Sequence, residues 1–136
     1  MGVLIDTSVL IAIERGRPGP GLASWGADEG GYISAITCSE LLVGVHRADT
    51  VARQHQRSAF VEALLGSMVI LEIDADVARA HARIVATLAK GVNVDAHDMW
   101  IGATAMRHGL AVLTANVVDF ARIPGLEVLN FSKGTS

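Results

Sequence analysis

A single cysteine, Cys38, in 136 residues excludes an intrachain disulfide framework and fits a reducing compartment. Its aliphatic neighbours Ile36, Leu41 and Leu42 suit a small core residue. Basic charge is also scarce: 11 Lys and Arg stand against 14 Asp and Glu, a formal net charge of -3, which argues against a simple DNA-binding module. It leaves room for a nuclease whose acidic site is neutralised by a divalent cation, because a bound ion reverses the local field. No apolar run reaches membrane-spanning length without a charge or glycine, and the first residues lack the basic-then-apolar order of a secretion signal. The chain is therefore expected to be soluble and cytoplasmic, with no membrane partner. There is no GxGxxG, no Walker lysine motif and no Cys/His zinc spacing, so nucleotide-cofactor and zinc chemistry lose support.

What is present is mostly aliphatic. Hydrophobic residues make up 51% of the chain and charged residues 18%, with alanine, valine and leucine spread along its length. A chain of this size buries roughly two thirds of its unfolded surface as one domain, here residues 1–136, with a flexible tail over about 132–136.

The stretch Val3-Leu4-Ile5-Asp6 reads as a short buried strand running up to a carboxylate, and Thr7 and Ser8 offer hydroxyls to cap a following helix or to fix the turn that aims Asp6. Helical spacing continues to Arg15 and stops at the Gly and Pro cluster of 16–21. A short helix is expected over Leu22 to Asp28 and a strand at Tyr32-Ile33-Ser34. The next helix runs from Thr37 to Val45, where Thr37 and Glu40 have the spacing of a capping box. Another covers Thr50 to Leu65, with Val51, Phe60, Val61, Leu64 and Leu65 inward and Arg53 to Arg57 as a solvated face. Met68 to Ile73 reads as a strand covered on both faces. Asp74 then opens a helix over Ala75 to Ala89, with Val77, Ala80, His81, Ile84, Val85 and Leu88 inward; Asp74 and Asp76 serve its positive end. Val94 to His108 is a helix opened by acids and closed by Gly109. Leu110 to Thr114 and Leu126 to Leu129 complete the strands, with Ala115 to Ala121 between them. Alternation of strand and helix from end to end predicts an α/β fold, a mainly parallel central sheet sandwiched between helical layers.

Four carboxylates follow or begin elements whose ends face one edge of such a sheet: Asp6, Glu40, Asp98 and Asp119. Each has a structural alternative: Asp6 as an exposed helix cap, Glu40 in the capping box, Asp98 against the helix dipole, Asp119 as cap of a short turn. Gathered in one crevice, like charges repel unless a cation sits among them. An all-oxygen donor set suits magnesium or manganese, and the chemistry it suggests is phosphodiester hydrolysis. The five histidines, His46, His55, His81, His97 and His108, share no ligand spacing, and His97 is expected to point to a different side of its helix from Asp98. Arg15, Arg17, Arg47, Arg53 and Arg57 form either a local RNA track or a solvated surface, and Trp25 and Trp100 read as core or partner-surface residues.

Val3-Leu4-Ile5-Asp6-Thr7-Ser8, Glu40-Leu41-Leu42-Val43-Gly44, Asp98-Met99-Trp100-Ile101-Gly102-Ala103-Thr104-Ala105 and Thr114-Ala115-Asn116-Val117-Val118-Asp119-Phe120 occur in this order. Together they resemble the PIN-domain ribonucleases, and among them the VapC-type toxins of bacterial toxin–antitoxin pairs. The resemblance runs from Val3 to about Val128. It implies a PIN-like three-layer α/β/α sandwich and a Mg2+- or Mn2+-dependent endoribonuclease that cuts RNA, is restrained by a cognate antitoxin and forms a homodimer. It also implies that Asp6 and Asp98 are the principal metal-binding aspartates, Glu40 the second acid and Asp119 the fourth, with Thr114 and Asn116 as polar supports. Asp95 reaches the same edge. Two departures stand out: Ala115 occupies a position where many relatives carry arginine, and Gly102 replaces a usual alanine, which alters helix packing.

Two other functions compete. A haloacid-dehalogenase-like or receiver-type phosphotransfer domain also places an aspartate after its first strand, but Ser8 stands where the dehalogenases carry a second aspartate. A catalytically silent PIN-like binding module would act only in a regulatory complex with a partner protein and DNA. An apolar groove around the first four expected helices would suit an antitoxin helix.

Overall fold

The computed structural model describes residues 2–16 and 31–131. The expected helix at Leu22 to Asp28, Arg17, Trp25 and the tail at 132–136 lie outside them. Five short parallel strands form one sheet in the order β3-β2-β1-β4-β5: β1 Val3–Ile5, β2 Tyr32–Ser34, β3 Val69–Leu71, β4 Ala111–Thr114 and β5 Val128–Asn130. The helices are α1 Thr7–Glu14, α2 Ala35–His46, α3 Val51–Ser67, α4 Ala75–Thr87, α5 Ala96–His108 and the single turn α6 Val117–Phe120.

The strands alternate their side chains between two cores. Val3, Ile5 and Leu113 join Val9, Leu10, Leu41 and Val61 on the side of α1, α2 and α3, whereas Leu4 and Val112 join Val77, Ile84, Ile101 and Phe120 on the side of α4, α5 and α6. Ile5, Leu4, Val112 and Leu113 are fully buried, each worth roughly 1.5–3 kcal/mol of hydrophobic stabilisation. The sequence expectation of a parallel sheet between two helical layers holds. The order in which strands are added reverses between β1 and β4, because β2 and β3 extend to one side of β1 and β4 and β5 to the other. That reversal opens a crevice beyond the carboxyl ends of β1 and β4.

Several local expectations change. β3 is an edge strand, with Val69 48% and Ile70 38% exposed, so it is not covered on both faces as its apolar sequence suggests. Apolar periodicity cannot distinguish a buried strand from an edge strand, because the order of strands is a tertiary property. Val51 and Val85 point to solvent; Val51 is the first residue of α3, where the chain is still entering the helix. The helix placed at Thr37 starts earlier, at Ala35, and is capped by Ser34, whose Oγ accepts from the Ile36 N–H at 3.0 Å. The Thr37–Glu40 capping box is therefore not formed, and both side chains are released for other work. Asp74 does cap α4, its carboxylate accepting from the Val77 N–H at 2.9 Å, which holds the carboxyl below its usual range. Gly109 closes α5 in the left-handed region at φ 66°, a conformation glycine adopts without penalty. Against α5, the Trp100 ring stacks on His81 of α4 with ring centroids 3.7 Å apart.

Candidate active site

Asp6 follows β1 and opens α1, with its own backbone N–H bonded to Leu113 O of the neighbouring strand β4 at 2.9 Å. It stands at the helix cap position, yet its side chain caps nothing and it is only 4% exposed. The exposed-cap alternative therefore fails. Asp6 Oδ2 instead accepts from Ser8 Oγ at 2.6 Å and from Thr114 Oγ1 at 2.9 Å. Burial pushes the Asp6 carboxyl above its usual value, and these two hydroxyls pull in the opposite direction.

The two hydroxyls are themselves fixed. Ser8 Oγ accepts from the Ala115 N–H at 3.1 Å, and Thr114 Oγ1 accepts from the Asn116 N–H at 2.8 Å. Ser8 and Thr114, 106 residues apart in sequence, thus hold one carboxylate oxygen. Thr114 does support this corner as expected; Asn116 contributes its backbone N–H, and the residue itself is exposed. Thr114→Val keeps the shape and removes the hydroxyl from a fully buried position. Melting of the purified variant should show a loss of about 1–3 kcal/mol, because Asn116 N–H and Asp6 Oδ2 each lose a partner. An unchanged melting temperature would rule out this anchoring.

Glu40 lies one turn into α2 and is partly buried. Thr7 Oγ1 donates to its Oε1 at 2.7 Å and lies 3.0 Å from Thr37 Oγ1, in the buried interior. Thr7 and Ser8, one residue apart, thus both turn to carboxylates, and neither caps α1. On the other side of Glu40, Oε2 lies 3.2 Å from His97 Nδ1. The expectation that His97 points to a different side of its helix from Asp98 did not foresee this contact with Glu40. Both residues lie in the first turn of α5, and from there His97 reaches Glu40. Position at the helix start was the available signal for His97, and the Thr-Ser pair directly after Asp6 was the signal for the hydroxyls.

Asp98 sits in that same first turn and is partly buried. Burial is the largest influence on it, followed by the charges of Asp6, Asp95, Asp119 and Glu40, and together they push its carboxyl up to about 7. Four of the acids singled out in the sequence therefore bear electrostatically on the fifth, Asp98. Asp95 has a structural duty as well: it caps α5, accepting from the N–H groups of His97 at 2.9 Å and Asp98 at 3.4 Å. Asp119 lies in the first turn of α6, partly buried. Among the described residues, no three His, Cys, Asp or Glu side chains close into a ready-made ligand cage.

A parallel sheet with its acids at the strand-order reversal has a counterpart among known families: a model described as PIN domain matches residues 3–126. The chain belongs to the PIN-domain family. It is 41% identical over 133 residues to ribonuclease VapC1 of Rickettsia felis, spanning 97% of this chain and 98% of that one. Identity to ribonuclease VapC4 of Mycobacterium tuberculosis is 36% over 130 residues, 93% of this chain and 94% of the relative. Among solved structures, VapBC-5 of Mycobacterium tuberculosis, a member of the VapBC family of toxin-antitoxin systems, superposes with a TM-score of 0.73 at 36% identity, covering 95% of this chain and 97% of that one. DNA-bound VapBC from Salmonella typhimurium gives 0.82 at 27% identity, covering 96% and 98%.

Membership in the PIN family displaces the dehalogenase and receiver readings. In this PIN domain Gly102 is a close contact: a Cβ there would lie 2.7 Å from Ile123 Cδ1. The alanine-to-glycine departure thus lets α5 approach the segment after α6. Of the arginines, Arg15, Arg53 and Arg57 line one open cleft of about 600 Å³ with Gln56 and Phe60. Arg57 departs from the expected solvated face, donating to Gly44 O at 3.1 Å and lying 3.6 Å from Glu14.

Proposed function

We propose that this chain, a single PIN domain over residues 1–136, is a Mg2+- or Mn2+-dependent endoribonuclease and the toxin of a toxin–antitoxin pair. It acts in the cytoplasm as a homodimer restrained by a cognate antitoxin. The observation that carries the reading is the buried Asp6 carboxylate, gripped by Ser8 and Thr114, whose charge bears on Asp98 together with those of Glu40, Asp95 and Asp119. Relatives of nearly the same length are named ribonucleases, and one is named a tRNA(fMet)-specific endonuclease. These names favour hydrolysis over a silent regulatory module. Among the described residues no helix is long and apolar enough to cross a membrane, which fits the cytoplasmic reading.

The donor set is oxygen throughout, as hard divalent cations prefer. Asp6 and Asp98 would hold the ion, with Glu40 and Asp119 completing the set directly or through water; magnesium commonly takes one or two carboxylates and keeps several waters. When bound, the ion supplies an activated water and compensates charge developing on the phosphate. Ser8 and Thr114 keep Asp6 in one orientation, and Thr7 does the same for Glu40. The arginine cleft beside α1 and α3 accepts the flanking phosphates. The smaller groove of about 170 Å³ among α1, α2 and α3, with Ile11, Leu41 and Val61 beside the charged Glu14, Arg15, Glu40 and Arg57, is less apolar than expected and accepts an amphipathic antitoxin segment. Purified protein should cut RNA with Mg2+, fall to background in EDTA and recover with excess Mn2+. Cleavage that persists undiminished in EDTA would end the metal-dependent assignment.

A further inference from the structure

We propose that His97 is a positioning residue for Glu40, a role that rests on the ribonuclease reading above. Glu40 is anchored from two elements. Thr7 in α1 donates to Oε1 at 2.7 Å, and His97 in α5 meets Oε2 with Nδ1 at 3.2 Å. A carboxylate only accepts hydrogen bonds, so the ring nitrogen is the donor. The contact joins residues 57 apart in sequence and links the helix that carries Asp98 to the helix that carries Glu40. An exposed ion pair has little energetic value by itself, and the His97 side chain is 58% exposed. Its effect is geometric: with Oε1 already fixed by Thr7, a donor at Oε2 leaves the carboxylate one orientation instead of a rotation about its last bond. The ring has no competing duty in starting α5, because Asp95 already accepts from the N–H groups of His97 and Asp98. Partners that orient an acid at a metal site commonly change affinity or activity about 10- to 100-fold when removed.

The test uses three variants of the full chain. His97→Ala should lower kcat for Mg2+-dependent RNA cleavage about 10-fold, with KM little changed. His97→Asn, whose amide nitrogen takes the place of Nδ1, should recover most of the loss, whereas His97→Gln, whose amide reaches the place of Nε2, should not. Nitrogen NMR of the metal-free protein should find the His97 ring in its Nδ1–H form, and Glu40→Ala should return it toward the Nε2–H form. This second measurement needs neither RNA nor metal, so it separates failure of the contact from failure of the ribonuclease reading. The proposal is overturned by wild-type cleavage in His97→Ala, by recovery in the glutamine variant with none in the asparagine variant, or by an Nε2–H ring in the wild type.

Discussion

Asp6→Asn is expected to lower kcat for RNA cleavage by roughly 10²- to 10³-fold, the size of losing one preorganised charged group from a reacting centre. The fold should survive. Asparagine has nearly the same volume, its carbonyl oxygen still accepts from Ser8 and Thr114, and the buried position no longer has to keep a charge out of water. Burial already raises the Asp6 carboxyl above its ordinary value, so in the metal-free protein the neutral side chain should melt no lower than the wild type. Steady-state kinetics and thermal melting on the same preparation check both halves. Cleavage above roughly a tenth of wild type would remove Asp6 from the reaction, and a large fall in melting temperature would show that the aspartate is needed for folding.

Asp98 yields the second large effect, in the dependence on pH. Its carboxyl is raised from 3.8 to about 7 by burial first and by four neighbouring acids second. The folded state therefore binds this proton more tightly than the unfolded chain does. The corresponding stability is fully present below about pH 4 and is lost as pH rises through about 7. In EDTA the wild type should melt lower at pH 8 than at pH 5.5, by a few degrees, since solvent screening reduces the effect at a half-exposed group. Asp98→Asn should flatten that slope and raise the melting temperature at pH 8 while abolishing cleavage. Added Mg2+ should restore the wild type at pH 8, and at pH 5.5, where Asp98 still holds its proton, binding should release it. A wild-type melting temperature independent of pH between 5.5 and 8 would show that the acids do not crowd one another as described.

The two variants share a physical basis. Both carboxylates sit where the folded protein alone disfavours their charge, one by burial and one by burial with repulsion. Sites arranged in this way trade stability for function, and a substitution that improves the metal-free fold while ending cleavage would display that trade directly.

Much of the architecture was readable from residue order. Short apolar runs and 3.6-residue spacing, with Gly and Pro stops, located β1, α1, β2, α3, α4, α5 and β4 to within a few residues, because these signals are local to each element. Where local signals competed, reading was less sure. Thr37 and Glu40 have capping-box spacing, but Ser34 lies three residues earlier and captures the helix start. The hydrophobic run at Met68 to Ile73 says strand, and nothing in it says edge.

The sequence by itself determined the alternation of strands and helices, the position of Asp6 at a strand end and the presence of acids at successive element starts, because these depend on spacing along the chain. Only the tertiary structure decided that Thr114 and Ser8 grip the same oxygen of Asp6, that Thr7 and His97 take opposite oxygens of Glu40, and that burial and neighbouring acids raise the Asp98 carboxyl. Each of these depends on distances between residues far apart in sequence, and those distances exist only once β1 and β4 lie side by side.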